Sequence, residues 1–367
     1  MFLPQSLFPN WGQITRSHLI AEADYIAGQD VVLLQEMFDN EASDRLKDQL
    51  ATQYPHQTPV LGRSRSGWDA TLGSYSSATP EDGGVTILSR WPIQETIQYV
   101  YADGCGADWF SNKGFVYAQF DVNNTPVHVV GTHAQAADTG CSDGTGAQVG
   151  AAQFDELDAF LDSRQIPADE QVIIAGDFNV DRYSTEYDSM LTRLDVSDAT
   201  FTGHQYSWDA QRNDMAGYND GQSSRQQLDY ILQRNGHARN GSGDNETLAV
   251  EAPKWCVTSW FVRYCYTDYA DHYRSRPTSD AYDLGQPAAL QCWGWAAADA
   301  PTQPQPYRRR VLPHPCSLGL SGKRWSARSK PAPVSFDHRA PERRVQARQR
   351  GFVSHCGGQL ASNLRVG

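Results

Sequence analysis

Residues 171–180 read QVIIAGDFNV, a β-branched apolar run that stops at Gly176 and at once presents two oxygen-bearing side chains, Asp177 and Asn179, around Phe178. The run predicts a strand that delivers polar groups at its tip. Successive strand side chains point to opposite faces, so Asp177 and Asn179 share a face while Phe178 turns toward the core. A carboxylate and a carboxamide side by side at a sheet edge suit hard-cation or phosphate chemistry. The same residues also read as a strand followed by an Asx-type turn, because Gly, Asp and Asn are ordinary turn formers.

The pattern recurs along the chain. Glu36 follows VVLLQ, His133 follows VHVVGT, Asp229 lies within QLDYIL, and Asp271-His272 follows YCYTDYA. One such end means little, since a lone Glu is an ordinary solvated strand end and a lone His an ordinary structural residue. Five together point to convergence, because polar groups at a common sheet edge can surround one substrate. Apolar spacing predicts helices over 17–28, 42–54, 149–161 and near 187–194, and strands over 31–34, 84–88, 115–120, 127–131, 171–175 and 228–232. A last pair of extended segments is expected at 255–262 and 263–269, on either side of Trp260-Phe261. Strands and helices are interspersed without strict βαβ alternation, which favours a mixed α/β sandwich over a doubly wound nucleotide fold.

Charge divides the chain. Residues 1–273 carry 16 Lys+Arg against 38 Asp+Glu, whereas 274–367 carry 15 against 5, and ten of the nineteen prolines lie in that second part. The expectation is a folded acidic domain over 1–273 and an Arg/Pro-rich tail over 274–367, disordered, out of frame or a separate appended domain. An acidic body disfavours nonspecific binding to nucleic acid, whose affinity rests largely on Lys and Arg meeting phosphates. It is compatible with a cation-dependent site. No stretch of eighteen apolar residues is present and no basic region followed by a long apolar run opens the chain. Cys105 and Cys141 lie in Gly-rich loops, and Cys256 and Cys265 flank the hairpin-like segment. Two disulfides and export are one reading of these cysteines, free thiols in a cytosolic protein the other.

The motifs QEMFDN (35–40), TPEDGG (79–84), SNKGF (111–115), GTHAQA (131–136), GDFNV (176–180), LDYIL (228–232) and YADHY (269–273) resemble those of the endonuclease/exonuclease/phosphatase superfamily. Within it, PNWGQ (9–13), LGRSRSGWD (61–69), YSSATPEDGG (75–84), GCGAD (104–108) and TSWFVRY (258–264) resemble the secreted bacterial neutral sphingomyelinases, in order and approximate spacing. The resemblance implies a DNase I-like four-layer α/β sandwich, with two packed, mainly antiparallel or mixed sheets flanked by helices. It implies a monomeric phosphodiesterase dependent on Mg2+, or on Mn2+ or Co2+, that hydrolyses sphingomyelin of the outer membrane leaflet to ceramide and phosphocholine, with no nucleic acid or protein partner.

The family pattern assigns roles residue by residue. Glu36 would bind the catalytic cation and Asp271 complete its carboxylate set. His272 would be the general base, oriented by Asp229. Asp177 would position the water, Asn179 would donate to a phosphoryl oxygen, and His133 would contact the phosphate and assist the leaving alkoxide. Asn40, Glu81 and Asp82 resemble a second, edge cation site, Asp82 being alternatively a buttress for His133. Trp260 and Phe261 suit a membrane interface, where aromatic rings sit beside lipid head groups. Trp11, Phe38 and Tyr75 are further aromatics for lipid or choline, or else core residues.

Two departures from the family accompany these matches. A strand ending in Asn precedes the PNWGQ segment in the family, whereas this sequence starts with Met1 at about the place where that strand would finish, which predicts an open edge near the sheet centre. After Tyr273 the family continues with Pro and a closing apolar strand, whereas here RSRPTSD leads into the Arg/Pro-rich tail. The rival readings are a DNase-like nuclease or inositol-phosphate phosphatase of the same fold, or a truncated, inactive lipid-binding homologue.

Overall fold

The computed structural model describes residues 4–142, 144–239, 243–278 and 290–293. Among the described residues there are five α-helices, α1 (Gln13–Ala21), α2 (Asn40–Leu50), α3 (Thr145–Arg164), α4 (Glu186–Arg193) and α5 (Asp214–Asp220). The first strands are β1 (Val31–Leu34), β2 (His56–Gln57), β3 (Ala70–Gly73), β4 (Thr86–Ser89), β5 (Ile93–Val100), β6 (Gly114–Val122), β7 (Thr125–His133) and β8 (Gln171–Asp177). There follow β9 (Phe201–Gly203), β10 (Trp208–Asp209), β11 (Arg225–Gln226), β12 (Asp229–Gln233), β13 (Asn245–Leu248), β14 (Trp255–Ser259), β15 (Val262–Tyr266), β16 (Arg274–Pro277) and β17 (Leu290–Trp293). One sheet runs β2-β4-β1-β17-β16-β13-β9 and the other β12-β8-β7-β6-β5-β3. Both mix parallel and antiparallel pairs.

Strand alternation builds the layers. In β1, Val31 and Leu33 enter the core between the sheets while Val32 and Leu34 meet the outer helices. In β8 the same parity sends Ile173 and Ala175 between the sheets and Val172 and Ile174 to the far side. Ile20 of α1 and Leu46 and Leu50 of α2 cover one outer face, and Phe154, Leu157 and Phe160 of α3 with Met190 of α4 cover the other. The result is the four-layer α/β/β/α sandwich that the motifs led us to expect. The sheets approach closely where Gly131 of β7 faces Leu33, since a Cβ at 131 would lie 2.1 Å from Leu33 Cδ1. Gly176 is a second required glycine: its φ is 145° and a Cβ would lie 2.0 Å from the Thr132 carbonyl oxygen.

Several elements depart from the sequence reading, mostly where polar residues are buried. The helix expected over 17–28 starts at Gln13 and ends at Ala21, followed by a short 3-10 turn, Asp24–Ile26. Its inward face includes Gln13 and Arg16, both buried, and Arg16 Nε donates to the Trp11 carbonyl at 2.9 Å. β5 and β13 went unrecognised for the same reason. Gln98 of β5 is fully buried, its carboxamide accepting from the Gly62 N–H at 2.9 Å, and Asn245 of β13 is bonded to both the N–H and the carbonyl of Ile231.

The seven-stranded sheet continues past the compositional change at 273/274. β16 pairs antiparallel with β13, and β17 lies parallel to β1 and antiparallel to β16. β1 is therefore paired on both sides, by β4 and β17, and the open edge expected near the sheet centre is absent among the described residues. The rest of the expected 274–367 tail, with Cys316 and Cys356, lies outside the described residues. Disulfides join Cys105 to Cys141 and Cys256 to Cys265.

Candidate active site

Sheet register assembles the site before any side chain is considered. In the six-stranded sheet His133, the last residue of β7, stands opposite Asp177, the last of β8, and Asp177 stands opposite Asp229, the first of β12. The parity that sends Val129, Ile173 and Ile231 into the core between the sheets also aims His133, Asp177 and Asp229 to that side. The three groups therefore close one end of the inter-sheet layer. All are buried. Phe178 turns away into the outer core, as its alternation predicts.

His272 arrives from the other sheet's side of the chain, through a backbone bridge to Trp208, whose ring lies edge-on to the imidazole at 5.1 Å. His272 Nδ1 bonds Asp229 Oδ2 at 2.8 Å, and its Nε2 lies 3.8 Å from Asp177 Oδ2. Burial opposes charge on this imidazole, but Asp229 and Asp177 outweigh it and push its pKa up to about 10. Asp177 itself is raised to about 7 by burial and by the neighbouring Asp229. His133 behaves in the opposite way. Burial and the Lys113 ammonium, 3.1 Å from His133 Nε2, hold it neutral, well below the ordinary histidine range. Lys113 in turn is paired with Asp108 at 2.8 Å. An ammonium donating to Nε2 leaves the ring proton on Nδ1, which is buried and has no hydrogen-bond partner.

The Asn179 side chain donates one N–H to the Ala134 carbonyl at 3.1 Å, its backbone N–H bonds Asp177 Oδ1 at 2.9 Å, and its φ is 53°. Glu36 also has a positive φ, 54°, immediately after β1. Backbone in this region is uncommon outside glycine and clusters at functional sites. The Glu36 carboxylate lies within electrostatic reach of His133 and His272, and Asp271 within reach of His272. Both also act on the buried Arg16 guanidinium, whose pKa burial lowers to about 10 against their attraction.

The residues present fit a divalent cation. Carboxylates cluster here: Glu36, Asp108, Asp177, Asp229 and Asp271 gather at one end of the layer, with Arg16, Lys113 and His272 among the cationic groups near them. Gln35, beside Glu36 and buried, leaves both atoms of its carboxamide without a hydrogen-bond partner, as His133 leaves Nδ1. Asp177, Asp229 and His272 bring ligand-type atoms within 4.8 Å of one another. His272 Nδ1 is already bonded to Asp229, so that trio has the geometry of an acid–base unit, and Glu36 and Asp271 are further carboxylates that could hold a cation.

At the edge, Asn40 is exposed on the first turn of α2 and Glu81 is half-buried, its pKa raised by burial. Asp82 is buried, and burial lifts it to about 7 against the pull of Arg63, whose Nε lies 3.1 Å from Oδ2. Its other oxygen accepts the Gly84 N–H at 2.9 Å, so Arg63 and the backbone hold Asp82 rather than His133. Trp260 and Phe261 form the tip of the β14–β15 hairpin and are 86% and 103% exposed. Both have positive φ, the geometry of a tight two-residue hairpin turn. The other aromatics considered for lipid or choline are less open: Trp11 is buried in the core, Phe38 is buried 6.3 Å from the His133 ring, and Arg65 covers Tyr75 at 4.9 Å. Sequence reasoning missed Lys113, Asp108 and Trp208, and also an exposed aromatic pair, Trp109 with Phe110.

Comparison with known proteins places this geometry. Residues 15–280 match the endonuclease/exonuclease/phosphatase family. The chain is 50% identical over 278 residues to sphingomyelinase C of Bacillus cereus, covering 74% of this chain and 84% of that protein. The crystal structure of sphingomyelinase C from Streptomyces griseocarneus superimposes with a TM-score of 0.73 at 53% identity, covering 74% of this chain and 94% of that one. A mutant of beta toxin from Staphylococcus aureus with bound magnesium ions gives a TM-score of 0.73 at 45% identity, over 74% of this chain and 93% of that one. The strand-end row, the layered sandwich and these matches together establish that the chain belongs to the endonuclease/exonuclease/phosphatase family.

Proposed function

We propose that the protein is a magnesium-dependent sphingomyelin phosphodiesterase that releases ceramide and phosphocholine. The observation that carries this reading is the row His133, Asp177 and Asp229 across three adjacent strands, with His272 bonded to Asp229 at 2.8 Å. Similarity to sphingomyelinase C supports the substrate class, and the magnesium of the beta toxin mutant supports the cation.

In this reading Glu36 and Asp271 would hold the cation, which would supply positive charge to offset the negative charge developing on the phosphoryl group. His272 Nε2 takes the proton of the attacking water. Asp229 fixes the ring orientation and stabilises the imidazolium. Asp177, 3.8 Å from that nitrogen, positions the water, while Asn179 donates to the phosphoryl group as charge builds. Neutral His133 contacts the phosphate and assists the departing alkoxide. The excess carboxylate charge keeps His272 protonated, so neutralisation of the site is a condition for its role as base. Asn40, Glu81 and Asp82 form the proposed edge site, with Arg63 competing for Asp82.

The Trp260-Phe261 tip suits insertion among lipid head groups, because a soluble surface gains nothing from two such rings in water. Two disulfides favour an oxidising compartment and hence secretion. Phosphocholine release from sphingomyelin liposomes with magnesium, measured beside cleavage of DNA and inositol phosphates, tests the assignment. Turnover of DNA or inositol phosphates in preference to sphingomyelin, or of none of the three, refutes it.

A further inference from the structure

A cavity of about 380 Å³ opens beside the catalytic row, and its chemistry is unlike that of the site itself. Its walls include Tyr101, Trp109 and Phe110, the acidic Asp103 and Asp108, and Lys113. Trp109 and Phe110 are 67% and 52% exposed and stand edge to face, centroids 5.1 Å apart. Large aromatics left in water at the mouth of a concave site mark a ligand surface rather than a core.

The frame around them is rigid. They end the short 3-10 helix Gly106–Phe110, which starts beside the Cys105–Cys141 disulfide. The backbone of the same segment is tied to Glu81 by the bonds Glu81 N–H to Phe110 carbonyl and Asn112 N–H to Glu81 carbonyl, both 3.1 Å. Asp108 Oδ2 accepts the Ala136 N–H at 2.7 Å, and the adjoining Tyr101 hydroxyl bonds Thr132 Oγ1 at 2.7 Å. The backbone that carries the two rings is thus tied on both sides.

Position and charge identify the occupant. Lys113 touches both compartments: it lines the cavity, and its ammonium contacts His133 at 3.1 Å. A phosphoryl group at His133 would therefore have its substituent one side chain away from the aromatic cavity. Lys113 is neutralised by Asp108, so the charge left on the wall is that of the exposed Asp103. Aromatic faces with a carboxylate at the rim recognise a quaternary ammonium, which has no N–H to donate and is held by ring faces and diffuse charge.

Resting on the sphingomyelinase reading, we propose that this cavity is the trimethylammonium subsite for the choline of the substrate head group, with Trp109 and Asp103 as its specificity-determining residues. Discrimination between sphingomyelin and ceramide phosphoethanolamine, whose head group is a primary ammonium, then resides here rather than in the catalytic row.

The test uses the full chain with magnesium and both lipids in mixed detergent micelles. In Trp109→Ala the ratio of kcat/KM for sphingomyelin to that for ceramide phosphoethanolamine falls about tenfold, the scale expected for loss of one desolvated cation–π contact. Asp103→Asn shifts the ratio in the same direction, and tetramethylammonium chloride inhibits the parent protein more strongly than either variant. Trp109 is exposed, so the far-ultraviolet circular dichroism and the melting temperature of the variant should match the parent. An unchanged ratio, or an equal fall on both lipids of the kind a general membrane contact produces, overturns the subsite. If the parent protein cleaves neither lipid, the sphingomyelinase reading itself fails. In that case saturation-transfer NMR still decides the cavity: tetramethylammonium bound by the parent and not by Trp109→Ala supports it, and no binding to the parent overturns it.

Discussion

Replacing Asp229 by Asn isolates the interaction on which the catalytic reading rests. His272 is buried, a setting that by itself favours the neutral ring, yet its pKa lies near 10 rather than at 6.5 because Asp229 and Asp177 stand 2.8 and 3.8 Å away. Each tenfold change in protonation equilibrium corresponds to about 1.4 kcal/mol, so the attraction of the carboxylates, net of the opposing cost of burial, favours the imidazolium by roughly 5 kcal/mol. At an effective dielectric near 20 a charge pair at about 4 Å contributes ~4 kcal/mol, and the closer, hydrogen-bonded Asp229 exceeds the more distant Asp177. In chelator-treated Asp229→Asn the His272 pKa therefore falls, read by NMR titration of the imidazole protons. The same variant with magnesium loses about 10²- to 10⁴-fold in kcat, because the ring also loses the acceptor that fixes its tautomer. A His272 that still titrates near 10 in this variant, with Asp177→Asn producing the fall instead, would refute the assignment of Asp229 as the orienting carboxylate. Loss of activity with an unaltered titration would equally refute it.

Four further outcomes follow. Stability of the metal-free protein depends on the same pair: because the folded His272 pKa is raised, its contribution is fully present below about pH 6.5 and is lost as pH rises toward 10. Urea melts of His272→Gln should lack that decline. Magnesium titrated into chelated protein lowers the His272 pKa, and Glu36→Gln weakens this effect at a given magnesium concentration, both read by the same NMR signal. The double change Trp260→Ala with Phe261→Ala removes two rings that would each contribute about 1.5–3 kcal/mol when buried in lipid, so liposome sedimentation should show binding weakened by at least tenfold. Reduction of the Cys105–Cys141 bridge, which spans 36 residues, costs about 3–4 kcal/mol on chain entropy and should lower the thermal midpoint of Cys105→Ser with Cys141→Ser.

Where an unbroken apolar, β-branched or aromatic run marks an extended segment, elements could be read directly. β1, β7 and β8 are examples, as is the β14–β15 hairpin. The readings that failed lie where burial is polar: Gln13 and Arg16 in α1, Gln98 in β5 and Asn245 in β13. A hydrophobic pattern carries no signal for a side chain that is buried because a specific backbone group satisfies it. The compositional change near 274 was similarly silent about β16, since strand pairing uses the backbone, which every residue carries.

Sequence alone determined which residues could be chemical: polar groups placed at strand tips in fixed parity with core positions, as in Asp177 two residues beyond Ala175. That parity is a property of the extended chain and needs no partner. Tertiary structure alone decided which tips meet. Register set His133 beside Asp177 and Asp177 beside Asp229, and it took a segment 43 residues further on to bring His272 to the same carboxylate. It also decided their charge states: both imidazoles lie near Asp177, at 3.6 and 3.8 Å, but at His133 burial and the Lys113 ammonium prevail, whereas at His272 Asp229 is added to Asp177, a difference made by neighbours distant in sequence. The exposed Trp109 and Phe110 belong to the same class of fact: their exposure exists only once the frame that holds them has folded.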